Sequence, residues 1–260
     1  MRLSQYDSSV NTHRFTIALF AVWLAACATS VCAQTPADSV AQALLQRLDD
    51  ARFPGAYEMS MNMETNRPGR DPLNYSYDII GVGEDKSLMT VTDPPRERDK
   101  QVLLNGDNLW FFVPDVSRPV KLTRKASFMG SVFSNEDVMN STLADDYDAR
   151  VMERTVIDGR VHFHVELTAK SRNVAYAKME CGIDSASAIP DTITFFGLTG
   201  KALKQEVVNK TGFFAGRERP SVMTMYDFLE KGAFTKVEIL SLSERDAIPE
   251  STFDPTRLGK

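Results

Sequence analysis

From Tyr57 to about residue 242, apolar and polar residues alternate with a period of two, in short runs broken by Gly, Pro, Asn or Asp. Tyr57, Met59, Met61 and Met63 alternate with Glu58, Ser60, Asn62 and Glu64, which predicts a half-buried strand with a row of methionines on its inner side. Arg150–Ile157 and Arg160–Thr168 flank Asp158-Gly159, the strongest hairpin signal in the chain. Roughly ten or eleven such strands, joined by hairpin-length links, predict a mainly β protein: one large curved antiparallel sheet forming an unclosed barrel, because flat sheets of that width are unfavourable. One long helical pattern precedes them. Val40, Ala41, Ala43, Leu44, Leu48 and Ala51 recur at helical spacing within Ala37–Phe53, and Pro54-Gly55 ends the run. Its amphipathic stripe places it against the sheet.

Two stretches depart from simple alternation. Leu109–Val113, LWFFV, is apolar at consecutive positions, so both of its faces need cover. Either parity could point toward a cavity; Trp110 and Phe112 are the candidates chosen here. Further on, Ser127-Phe128-Met129-Gly130-Ser131-Val132-Phe133 is a small apolar patch broken by a glycine, followed by Ser134-Asn135-Glu136-Asp137. That tetrapeptide has the pattern of a capping box at a helix start. Phe128, Met129, Phe133, Val138 and Met139 make an apolar stripe. Two readings stand: a Gly-hinged, short helical lid over a greasy space, supplying the missing cover, or an ordinary helix on an ordinary core.

The run KQVLLNGDNLWFFVPDVSRPVKLTRKASFMGSVFSNEDV resembles the signature of the LolA-like family of outer-membrane lipoprotein-sorting proteins. Trp110, Pro114, Ser127, Met129, Gly130, Ser131, Phe133, Ser134, Glu136 and Asp137 carry the match. Gly200-Lys201-Ala202-Leu203-Lys204, Arg219-Pro220 and Ile248–Phe253 extend it more thinly toward the C-terminus. The resemblance implies an unclosed β-barrel whose hollow is covered by helices. It further implies acyl chains of a lipoprotein or another lipid as cargo, carried across a periplasm from an inner-membrane transporter of ABC or RND type to an outer-membrane acceptor. The extra length and the MGS motif depart from LolA itself, so a free lipid is an alternative cargo. On this reading Met59, Met61, Trp110, Phe112, Phe128, Met129, Phe133 and Met139 line the cavity and lid.

The N-terminus adds an export signal. Arg14 closes a polar stretch, Phe15–Leu24 is apolar, and Val31-Cys32-Ala33 offers small residues before Gln34. Residues 1–33 thus read as a cleavable signal peptide, leaving 34–260 as a single carrier domain in the periplasm. Leu24-Ala25-Ala26-Cys27 offers a rival, a lipobox that would anchor the protein through Cys27. Cleavage after Ala33 leaves Cys181 alone, a small core residue on a strand with no disulfide partner.

The formal charge of −5 on 260 residues and the lack of a basic stripe with interleaved aromatics argue against nucleic acid as a partner. No Gly-x-Ser-x-Gly, Cys-x-x-Cys, P-loop or His-Glu-x-x-His occurs, so neither catalysis nor a cofactor is expected, and a monomer suffices. The competing class is an envelope metal-binding protein or hydrolase built on His162, His164 and Glu166, which share one face of a strand. Alternate positions lie roughly 6.5–7 Å apart, too far to share a metal unless the side chains lean together.

Overall fold

The chain begins its sheet at the centre and ends it there. In the computed structural model, residues 36–114, 118–123, 126–138, 142–172 and 174–260 are described; the expected signal peptide, Cys27 and Met139 lie outside them. Helix α1 (Pro36–Arg52) comes first. Strands β1 (Ala56–Asn66), β2 (Leu73–Val82), β3 (Lys86–Asp93), β4 (Gln101–Asn105), β5 (Asn108–Phe112) and β6 (Val120–Lys121) then step outward to one edge. The other half starts at the opposite edge with β7 (Tyr147–Ile157) and returns through β8 (Arg160–Ala169), β9 (Lys178–Asp184), β10 (Pro190–Phe196), β11 (Ala202–Phe214) and β12 (Arg217–Asp227) to β13 (Phe234–Arg245). Strand β13 pairs antiparallel with β1. The sheet has thirteen strands, all neighbouring pairs being antiparallel, and its edges β6 and β7 do not pair with each other. It is an open sheet. The total exceeds the expected ten or eleven.

This topology explains the segment between residues 122 and 146. Edges β6 and β7 are consecutive in sequence but twelve places apart in the sheet, so their link must traverse a face. Phe128 packs with Tyr77, Met89 and Leu109 from the first half of the sheet. Val132, Leu143 and Ala144 pack with Val165, Leu167 and Met179 from the second half. Two short helices interrupt the link, α2 (Asn135–Val138) and α3 (Leu143–Asp146). Helix α1 lies on the same face and is tied to the end of the link. Its Asp49 accepts from the Ala144 amide at 2.8 Å, and Gln42 donates to the Ala144 carbonyl at 2.8 Å. The helix runs over the stretch its periodicity predicts, with Ala41, Leu44, Leu45 and Leu48 buried.

The apolar strand β5 has both faces covered, as its composition requires, but by two different covers. Leu109 and Phe111 belong to the cluster under the crossing segment. Trp110 and Phe112 point the other way, into a separate cluster with Phe253, Leu258 and Ile248. The C-terminal 3-10 turns, Glu250–Phe253 and Pro255–Arg257, form that second cover. Asn105 donates to the Phe253 carbonyl at 3.0 Å and fixes the tail in place. The expected lid segment thus covers one face, and two 3-10 turns at the far end of the chain cover the other.

The Asp158-Gly159 hairpin forms with the expected two-residue loop: Ile157 faces Arg160, and both loop residues have positive φ, 50° and 78°. That conformation twists with the strands it joins. Cys181 is free and fully buried, and burial pushes its thiol up to about 12, which leaves it unreactive at neutral pH.

Candidate functional site

Between α1, the crossing segment and the sheet lies an apolar cavity of about 260 Å³. Its methionines come from three strands: Met59, Met61 and Met63 on β1, Met89 on β3 and Met223 on β12. Strand β1 delivers three of them because every second residue faces inward. Leu48 and Phe53 from the α1 end, Phe128, Phe133 and Val138 from the crossing segment, and Val237 and Leu242 from β13 complete the apolar wall. An adjoining cavity of about 410 Å³ is more polar, with Glu136, Asp146, Tyr147 and Tyr176 among its lining residues. Arg52, Phe133, Asp137, Leu143, Ile193 and Glu206 line both. Ligand pockets usually occupy about 300–1,000 Å³, so the polar space lies at the lower end of that range and the apolar one just below it.

The crossing segment is pinned at one end. Met129 and Gly130 both have positive φ, 49° and 78°, and the Ser131 amide donates to the Phe128 carbonyl at 2.8 Å to close a tight turn. Gly130 meets this geometry without cost, whereas Met129 is strained in it. The Arg67 guanidinium holds the turn by donating to the carbonyls of Gly130, at 3.2 Å, and Ser131, at 2.9 Å. The Val132 amide donates to Thr235 at 2.9 Å, and Thr235 also hydrogen-bonds Thr65 at 2.9 Å. The expected hinge is therefore an anchored turn.

At the other end the capping box closes as its spacing predicts. The Ser134 amide donates to the Asp137 carboxylate at 2.6 Å, and the Asp137 amide donates to the Ser134 hydroxyl at 3.3 Å. The same carboxylate, with only 5% of its side chain exposed, accepts from Lys204 of β11 at 2.8 Å and from the Tyr176 hydroxyl. Burial raises the Tyr176 phenol, and the Asp137 charge raises it further. Asp137 and Lys204 clamp α2 to the cavity wall, joining two motifs that lie 67 residues apart.

Of the residues chosen from the sequence, Met59, Met61, Phe128 and Phe133 meet at the apolar cavity. Met129 packs against the same cluster without lining the cavity. Trp110 and Phe112 lie on the opposite face under the C-terminal tail, so the chosen parity of β5 is corrected: Leu109 and Phe111 face the cavity side. Met63, Met89, Met223, Lys204, Asp137 and Glu206 were not chosen as site residues, although Asp137 and Lys204 lie in motifs read from the sequence. Met63 belonged to the same alternating row; the remaining five become neighbours only through long-range pairing.

His162, His164 and Glu166 do not converge. His162 Nδ1 bonds Asp191 at 2.7 Å, His164 stands 3.8 Å from Glu180, and Glu166 accepts from Lys178 at 3.3 Å. Among the described residues no group of three or more His, Cys, Asp or Glu is placed to hold a metal ion.

The open sheet, the helix across it and the bridging segment define a class, the LolA-like fold. A LolA superfamily protein from Nitrosomonas europaea is 26% identical, with 82% of this chain and 97% of that one covered and a TM-score of 0.71. A DUF1329 family protein from Desulfovibrio piger (20% identity, 86% and 100% covered, TM-score 0.78) shares the fold. So does an outer membrane lipoprotein-sorting protein domain from Vibrio parahaemolyticus (19% identity, 86% and 100% covered, TM-score 0.74). Residues 83–260 match a family model described only as an uncharacterized protein, and the chain belongs to that family. No curated protein sequence matches the chain.

Proposed function

We propose that this protein is a non-catalytic carrier that holds the acyl chains of a lipid or lipoprotein in the methionine-lined cavity. The observation that carries the reading is an apolar hollow, about 260 Å³, partly covered by a segment bridging the two edges of an open sheet. Burying an acyl chain gains about 0.8 kcal/mol per CH₂, so several methylenes favour transfer from a membrane surface into a dry host. Methionine suits such a wall because its unbranched, polarizable side chain adapts to guests of irregular shape. The Vibrio relative described by lipoprotein sorting supports a route toward an outer membrane. In this reading residues 34–260 act in the periplasm after removal of 1–33. The carrier receives cargo from an inner-membrane transporter of ABC or RND type and yields it to an outer-membrane acceptor.

Native mass spectrometry of protein purified without detergent tests the proposal. Mass adducts of lipid, displaceable by a fluorescent acyl probe, are the expected result. A homogeneous bare chain that also fails to bind the probe removes it.

A further inference from the structure

Strand β11 presents Lys204 and Glu206 at alternate positions on the cavity side. Lys204 is neutralised by Asp137 at 2.8 Å. Glu206 differs: among the described residues it forms no hydrogen bond or ion pair. Its cross-strand neighbours are Ile193 on β10 and Met225 on β12, 8% and 1% exposed. Its side chain lines both cavities, at their junction. Its half-buried carboxylate faces the cavity space between apolar cross-strand neighbours, with no hydrogen-bond donor from the described residues, so a guest bearing a donor can satisfy it. Nothing in the sheet requires an acid there, since its cross-strand neighbours are apolar and the lysine beside it on β11 is already paired with Asp137.

The other charges near it are already engaged. Arg52, which also lines both cavities, stands 3.9 Å from Glu84. Asp137 holds Lys204 and Tyr176. Burial raises the Glu206 carboxyl, against the opposing pull of Arg52 and with the repulsion of Asp137. Whether protonated or ionised, the group at this point can accept a hydrogen bond, and when ionised it repels an anion.

We propose that Glu206 is the polar anchor of the guest. The cavity takes an amphiphile whose polar group carries a hydrogen-bond donor (an amine, an amide N–H or a hydroxyl) and discriminates against a free carboxylate of the same chain length. The acyl chain lies among the methionines, and its donor-bearing end meets Glu206 where the apolar cavity opens into the polar one. This inference rests on the carrier reading and narrows it from any acyl chain to one class of amphiphile.

Displacement of a fluorescent acyl probe by dodecylamine, dodecanol and dodecanoate, each below its micelle concentration or solubility limit and near neutral pH, tests it in the wild type and in E206Q. The three share one chain length and differ in the polar end. In the wild type, the amine and the alcohol should displace the probe at concentrations about tenfold lower than dodecanoate, the scale of one hydrogen bond to a charged group. E206Q should bring dodecanoate close to the other two. The same ranking in wild type and E206Q, or dodecanoate as the tightest wild-type ligand, overturns the role of Glu206 while leaving a carrier. Failure of the wild type to bind the probe or any of the three overturns the carrier reading and this inference with it. Gln preserves the size of the side chain. Should E206Q fail to fold by circular dichroism, the wild-type ranking decides alone.

Discussion

Asp137 ties the crossing segment together through several contacts at once. It caps α2, pairs with Lys204 and accepts from Tyr176, all with 5% of its side chain exposed. Removing one member of a buried pair strands the other charge in a poor solvent, at a cost of about 3–5 kcal/mol. D137N should therefore lower stability by about 3 kcal/mol in urea unfolding, whereas D137N/K204M should recover part of that loss because no lone ammonium remains. A D137N loss no greater than an ordinary surface change would show that the pair contributes nothing. Glu84 gives a second residue-scale expectation. Both of its carboxylate oxygens are buried without a hydrogen-bond partner, and burial moves its carboxyl from 4.5 to about 7. The folded state thus binds this proton more tightly than the unfolded chain. The stabilisation is complete below about 4.5 and is lost as pH rises through about 7. E84Q should flatten that part of the stability profile and raise the melting temperature above pH 7 relative to wild type; an unchanged slope would contradict it. The capping half of the Asp137 network was legible in the sequence because Ser134 and Asp137 are three residues apart. The Lys204 half was not, because 67 residues separate the partners. Only the register of β9 to β11 brings that lysine to the same wall.

At the scale of elements, β5 shows what periodicity conveys and where it stops. Consecutive apolar residues established that both faces of LWFFV are covered, and they are. Parity was not readable, because Leu109, Trp110, Phe111 and Phe112 are all large and apolar. The deciding partners, Phe128 on one face and Phe253 on the other, lie in segments of irregular backbone that no period identifies. The two covers can be separated by experiment. F133D places a charge on a side chain lining both cavities and should abolish acyl-probe binding while the sheet keeps its far-UV circular dichroism. Phe253 is 1% exposed, and F253A should cost about 3–5 kcal/mol of stability without changing probe affinity in the folded fraction. Wild-type affinity in F133D would separate the crossing segment from binding. Lost affinity in a folded F253A would place the tail, and with it Trp110 and Phe112, in the binding mechanism.

For the molecule as a whole, the position of the crossing segment follows from strand order. The two halves of the sheet grow outward from and back to the β1–β13 pair, so the link between the edges traverses a face whatever its sequence. Alternation predicted the large antiparallel sheet but could not reveal this order, since the β1–β13 pairing joins the two ends of the chain. The anchoring described above then assigns motion to part of the link. The turn at Met129 and Gly130 is held by Arg67 and Thr235 through three hydrogen bonds to backbone atoms. Helix α2 is held to the cavity wall by the Asp137 contacts, and its first residue, Asn135, is tied to the preceding loop, its amide donating to the Ala126 carbonyl and its side chain to the Thr123 carbonyl, both at 2.8 Å. A guest entering the cavity should therefore displace α2 about a fixed turn, and a bound guest should hold it closed. Hydrogen exchange with and without an acyl ligand reads this directly. The amide of Asp137 should gain protection on binding, while that of Val132, already bonded to Thr235, should change little. T235V removes the acceptor for Val132 while the Arg67 bonds remain; it should loosen the turn at Val132, so that Val132 exchanges faster and the ligand then protects both sites. Equal protection gains at Val132 and Asp137 in the wild type would mean that the segment opens as one piece and that the turn is no pivot.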